Sequence, residues 1–157
     1  MMPTKTMKAA VLHAKGDLRY EEVPVPKPAP DEILVKVAAN GLCGSDIHFF
    51  ENGELGPFKV TEPYIPGHEA SGTVVQTATS VPGPAVGQRV AIEPGVPCRR
   101  CEWCKAGRYN LCPDVVFMSA PPVDGTFAEY VALAADFAHP LPDAVDAPRL
   151  GVRTPPR

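Results

Sequence analysis

Short runs of apolar residues, bounded by glycine, proline or charged residues, recur along the chain. The run at 32–39 (EILVKVAA) alternates, so that Ile33, Val35 and Val37 would share one face of a β-strand. Shorter runs of the same kind predict four further strands, at 8–13, 72–76, 87–92 and 127–133. Many short strands with few long helical patterns are typical of a partly open β-barrel, so we predict a mainly β fold.

Proline and glycine reinforce this prediction. The 157 residues include 20 prolines and 13 glycines, which suit turn-rich β structure and disfavour a helical bundle. Four prolines at alternate positions within 20–31 cannot donate ladder hydrogen bonds, so this stretch is expected at a sheet edge or on the surface.

Composition and charge narrow the class of protein. The length allows one domain with a proper core, and the net charge of −3 argues against a general nucleic-acid or membrane-surface binder. No apolar run is long enough to span a bilayer, and residues 1–15 lack the apolar core of a secretory signal. We therefore expect a cytoplasmic protein without nucleic-acid or membrane partners.

Four of the five cysteines lie within 98–112, as Cys98, Cys101, Cys104 and Cys112. The C-x2-C-x2-C-x7-C spacing lets four thiolates converge on one tetrahedral ion, and zinc fits such a closed site. The lobe at 95–113 would then be an insertion between two strands, held together by structural zinc.

Two alternatives to zinc remain at this point. Paired disulfides are disfavoured because no secretory signal precedes them and the spacing suits metals. An iron–sulfur cluster is suggested by Pro113 after the last cysteine, but bacterial ferredoxins have x3 where this chain has x7. The basic residues of the lobe are interpreted as softening the charge of the thiolates.

Cys43, His68 and Glu69 form a second candidate set. A catalytic zinc takes three protein ligands, and thiolate, imidazole and carboxylate are all suitable. A buried free thiol and an ordinary polar loop explain the same residues, since 24 positions separate Cys43 from His68. Ser45 or Asp46 could cap a short helix that carries His48.

Five motifs occur together in a characteristic order: GLCGSDIH (41–48), GHEASGTV (67–74), GQRVAIEPGVPC (87–98), CEWCKAGRYNLCP (101–113) and PPVDGTFAEYV (121–131). With them the chain resembles the amino-terminal half of zinc-dependent medium-chain dehydrogenases, in particular the polyol branch of sorbitol and xylitol dehydrogenases. The resemblance covers about residues 8–143. It implies a GroES-like (chaperonin-10-like) barrel at 1–146, with the zinc lobe at 95–113.

The resemblance also implies roles for individual residues. Cys43, His68 and Glu69 would bind catalytic zinc, and the four clustered cysteines would bind structural zinc. Ser45 would take the proton of the substrate alcohol and His48 would pass it outward. Phe49 and Phe117 would line the substrate pocket.

The implied reaction is the oxidation of a secondary alcohol to a ketone, with hydride passing to NAD or NADP. Members of this family carry a Rossmann domain for the dinucleotide and are expected to be homo-oligomers. No G-x-G-x-x-G occurs in this sequence, so we expect no cofactor-binding residues here.

The pattern ends near residue 147, and residues 147–157 are expected to be a disordered tail outside the family. We interpret the chain as a truncated polyol dehydrogenase that is inactive alone. Two alternatives are another zinc alcohol or threonine-type dehydrogenase, and a stand-alone zinc-binding β-barrel that acts as an interaction module.

Overall fold

The structure, a computed structural model, describes residues 5–145. In chain order, the elements are β1 (Thr6–Ala14), β2 (Asp17–Pro24), β3 (Glu32–Gly41), α1 (Gly44–Asn52), β4 (Glu54–Leu55), β5 (Phe58–Lys59), β6 (Glu69–Gln76), β7 (Arg89–Ile92), β8 (Gly95–Val96), α2 (Glu102–Lys105), β9 (Val116–Phe117), β10 (Tyr130–Ala134) and β11 (Ala138–Pro140). Two single-turn 3-10 helices cover Tyr109–Leu111 and Ala135–Phe137. The predicted mainly β fold is confirmed.

The largest sheet has five antiparallel strands in the order β10-β3-β6-β7-β11. Strands β1 and β2 form a hairpin beside it, joined to the rest through a bridge between Ala9 and Ala128. Two further pairs, β4–β5 and β8–β9, have two residues a strand. The 20–31 stretch begins in the edge strand β2 and leaves it at Pro24, as its prolines require.

The main core lies on the five-stranded sheet. Ile33 and Val35 of β3 are fully buried there with Val74, Val90 and Leu133. Leu34 is also buried, so the start of β3 is covered on both faces and not only on the predicted one. Because both faces are buried, consecutive positions of this strand are apolar, and it is the most strongly apolar of the predicted strands.

All five predicted strands overlap observed ones, and the largest shift is at 127–133. The observed strand β10 begins at Tyr130 because Phe127 and Ala128 pair instead with β1, with Ala10 donating to the Phe127 carbonyl at 2.8 Å. Strand β11 is missing from the prediction, since three residues ending in proline carry no alternation.

The cysteine-rich lobe is inserted between β7 and β10, with the β8–β9 pair at its base. The predicted tail at 147–157 lies outside the described residues. Among residues 5–145, no helix is both long and apolar enough to cross a membrane.

Candidate metal centres

The four lobe cysteines converge on one point. One sulfur atom from each lies within 4.8 Å of the others, and the Cys101 and Cys104 sulfurs are 3.4 Å apart. All four are free thiols, and this separation is far beyond a disulfide bond of about 2.05 Å. The arrangement places four soft donors where one tetrahedral ion could touch all of them.

Backbone N–H groups point at these sulfurs. Cys98 donates to the Cys112 sulfur at 3.3 Å, and Cys101 donates to the Cys98 sulfur at 3.4 Å. Donation from Arg100 and Cys101 lowers the pKa of the Cys98 thiol to about 7. Desolvation and the neighbouring Cys101 thiol raise the pKa of Cys104 to about 12. The backbone donors thus favour negative charge on the Cys98 sulfur, which is the form that binds metal, whereas burial and the neighbouring thiol favour the neutral form of Cys104.

An ion pair anchors the lobe to the barrel. The Arg99 guanidinium contacts the Asp136 carboxylate at 2.7 and 2.8 Å and lies 5.5 Å from the centre of the Phe137 ring. The interaction lowers the pKa of Asp136. The Arg99 guanidinium is therefore paired with a carboxylate outside the lobe, whereas its backbone N–H contacts the Cys104 sulfur and acts to lower the pKa of that thiol.

The second set is assembled by strand pairing. In the β3–β6 register Gly41 lies opposite Glu69, which brings the chain after β3 to the start of β6. Ligand atoms of Cys43, His68 and Glu69 all lie within 4.8 Å of one another. Cys43 and His68 are partly buried and Glu69 is exposed, so the set is open to solvent on the side of Glu69.

Cys43 also begins helix α1. The sequence suggested Ser45 or Asp46 as the cap, but Cys43 is the N-cap, and the Asp46 carboxylate accepts its backbone N–H at 3.0 Å. Asp46 is the third residue of the helix, and its hydrogen bond to the N-cap backbone fixes the position of Cys43 at the start of α1.

Asp46 is the site residue that sequence reasoning missed. Its buried carboxylate accepts the Gly67 N–H at 3.2 Å as well as the Cys43 N–H, so it joins the two ligand-bearing segments. It also lies 3.7 Å from Nδ1 of His68. The only local signal was an aspartate in the first turn of a helix, which is equally typical of an ordinary cap.

The other predicted site residues fall in different places. Ser45 is partly buried near the start of α1, while His48 is exposed, with Nδ1 3.3 Å from Asn52. Phe117 is 38% exposed, and its ring centre is 5.5 Å from that of His68. Phe49 differs from the prediction: it is 3% exposed and packs edge-on against Tyr64, because it faces the core side of α1 and not the open side of the set.

The second set also fits a metal. Nδ1 of His68 is buried and has no hydrogen-bond partner. Sulfur, imidazole nitrogen and carboxylate oxygen are all established zinc donors, and three protein ligands with one open side are typical of a catalytic site. The chemistry of the donors therefore suits zinc better than calcium or magnesium, which prefer oxygen alone.

Residues 29–143 match the family model of the alcohol dehydrogenase GroES-like domain. The chain is 50% identical over 141 residues to sorbitol dehydrogenase of Bacillus subtilis, covering 90% of this chain and 40% of the relative. It is 44% identical over 154 residues to a protein of Emericella nidulans named probable D-xylulose reductase A, covering 98% of this chain and 43% of the relative.

Among solved structures, a similar one comes from Sinorhizobium meliloti, assigned as a zinc-binding dehydrogenase and solved with NADP bound. It aligns with a TM-score of 0.82 at 36% identity, covering 94% of this chain and 42% of the other. The chain thus spans about two fifths of the length of the relatives it matches. The family match confirms the predicted GroES-like fold.

Proposed function

We propose that this chain, which belongs to the family of alcohol dehydrogenase GroES-like domains, is the metal-binding catalytic part of a polyol dehydrogenase. The observation that carries the proposal is the convergence of Cys43, His68 and Glu69 beside helix α1. The polyol class rests on similarity to sorbitol dehydrogenase and to a D-xylulose reductase. The reaction would be oxidation of a secondary alcohol to a ketone with NAD or NADP.

Two zinc ions would have separate roles. Cys98, Cys101, Cys104 and Cys112 would hold one that only stabilises the lobe. Cys43, His68 and Glu69 would hold the other, which would supply Lewis-acid catalysis at an alcohol oxygen.

The residues of α1 would move the proton. Ser45 and His48 are three positions apart and so lie on neighbouring parts of one helical face. Ser45 is partly buried, so its hydroxyl could accept the proton of a substrate hydroxyl while passing its own proton on toward His48. His48 is exposed and could release that proton to water. Phe117, beside the His68 ring, would exclude water and contact the carbon chain of the substrate.

An apolar groove favours this proposal over a stand-alone interaction module. Its volume is about 210 Å³, and Leu42, Ile47 and Phe50 line it with exposures of 68%, 43% and 40%. Exposed apolar surface next to the proposed catalytic helix suits the docking of a further domain, whereas a stand-alone module would be expected to keep this surface polar.

The test is to fuse residues 1–145 to the remaining part of the Bacillus subtilis sorbitol dehydrogenase. We expect the fusion to form NADH from sorbitol or xylitol, and His68→Ala to abolish this. The unfused chain should form none, because hydride transfer needs a nicotinamide held at the reacting carbon.

Two results would contradict the proposal. One is a folded fusion that binds NAD but shows no turnover with any polyol. The other is saturable NAD-dependent oxidation by the unfused chain that His68→Ala removes, which would contradict the requirement for a fused domain while supporting the catalytic set.

A further inference from the structure

A buried serine lies behind the second set of candidate ligands. Ser119 is 3% exposed, and its hydroxyl lies 3.2 Å from Oδ1 of Asp46 and 3.0 Å from the Gly67 amide nitrogen. Gly67 immediately precedes His68, and Asp46 also accepts the N–H of Cys43. The Ser119 hydroxyl thus contacts both the Asp46 carboxylate and the Gly67 amide, which together link the segment that carries Cys43 to the segment that carries His68.

The directions of these bonds are fixed by chemistry. The Gly67 N–H can only donate, so the Ser119 oxygen accepts from it and donates its own hydrogen to the Asp46 carboxylate. Oδ1 of Asp46 therefore accepts from Ser119 and shares the single Gly67 N–H with the Ser119 oxygen, while Oδ2 accepts the Cys43 N–H. With both oxygens held, the carboxylate cannot rotate freely.

The backbone at Ser119 is also unusual. Its φ is +67°, a left-handed conformation that costs free energy for any residue except glycine. Such a conformation persists where the surrounding contacts require it. Here it presents the hydroxyl to Asp46 at the end of the segment that places Phe117 beside His68.

We infer that Ser119 is a positioning residue for the metal set Cys43, His68 and Glu69, acting through Asp46. Its hydroxyl holds the carboxylate at a fixed place between the Cys43 and His68 segments, 3.7 Å from Nδ1 of His68. Side chains that hydrogen-bond metal ligands typically change metal affinity 10- to 100-fold when removed, and Ser119, which acts through Asp46, is expected at the low end of that range. The inference rests on the proposed function, since it assumes that this set binds metal.

The test is cobalt(II) titration of the full chain against a competing chelator, with the second-set affinity identified through His68→Ala. We expect Ser119→Ala and Ser119→Gly each to weaken that affinity by about 10-fold or more. Affinity at the four lobe cysteines should stay unchanged, which also reports that the variants are folded. Asp46→Asn should weaken the same site, and adding Ser119→Gly to it should have little further effect.

The glycine variant separates the hydroxyl from the backbone. Glycine adopts the φ of Ser119 without strain, so wild-type affinity in Ser119→Gly would overturn the inference. Equal weakening at both sites would also overturn it, because that pattern means general loosening. A wild-type chain that binds cobalt only at the lobe would overturn the proposed function and this inference together.

Discussion

At the scale of single residues, the second metal set depends on close packing around Gly67. Its φ is +94°, and a Cβ there would lie 2.6 Å from a Phe127 ring carbon and 2.9 Å from the Asn40 amide nitrogen. Gly125 presses against the same turn, since a Cβ on it would lie 2.0 Å from the Gly67 carbonyl oxygen. Glycine is needed at Gly67 both for its conformation and for space, and the adjacent His68 is placed by that turn.

We predict that Gly67→Ala lowers the free energy of unfolding by about 2–4 kcal/mol, because left-handed strain and overpacking add. Chemical denaturation with a two-state fit measures this. Gly16→Ala is the matched control, since Gly16 has a φ of +73° but no atom within 4 Å of its Cβ position. It should lose only about 1–2 kcal/mol.

Equal losses in the two variants would show that conformation alone explains Gly67. In that case the crowding of Gly67 by Phe127 and Asn40 would add nothing measurable to the loss of stability.

Sequence reasoning could propose the ligands but not what holds them. Cys43 and His68 are chemically distinctive, whereas Asp46 and Ser119 are common polar residues 73 positions apart. Only the folded chain brings their side chains together, so no local pattern could have identified the pair.

At the scale of elements, the lobe stands out because it has little apolar content of its own. Helix α2 has only four residues, and none of them is buried. The 3-10 helix at Tyr109–Leu111 has no buried residue either. Helices this short are not stable in isolation. We therefore propose that a metal held at the four cysteines stabilises the lobe, while the Arg99–Asp136 ion pair anchors one side of it.

We predict that Cys101→Ser loosens residues 95–113 and lowers stability by several kcal/mol, as loss of a structural metal does. Hydrogen exchange should show faster exchange across those residues, with little change in β3 and β6. Cys43→Ser is the control and should leave exchange in the lobe unchanged. Slow exchange throughout the lobe of Cys101→Ser would contradict a structural metal there.

The strands also show which parts of the fold could be predicted from sequence patterns. Short apolar runs located β1, β3, β6, β7 and β10, because each of these strands buries side chains in a core, but not β2, whose side chains are mostly exposed. The runs could not give the pairing order β10-β3-β6-β7-β11, which depends on contacts between distant segments. They also missed β11, where pairing with β7 and not hydrophobicity defines the strand.

At the scale of the whole molecule, the chain corresponds to about two fifths of its dehydrogenase relatives. Within residues 5–145 both candidate metal sets are complete. The apolar groove beside α1 is where we expect a further domain to dock. We therefore expect this chain to bind metal alone, whereas turnover should need the fused enzyme.

The central claim is that this chain binds two zinc ions at two independent sets of residues. The most direct test is to count metal by mass spectrometry in the purified 157-residue protein and in two variants. We predict two zinc ions per chain, one in His68→Ala with the lobe intact, and one in Cys101→Ser with the second set intact. Iron in the lobe, paired disulfides without metal, or a zinc count unchanged by His68→Ala would contradict the account.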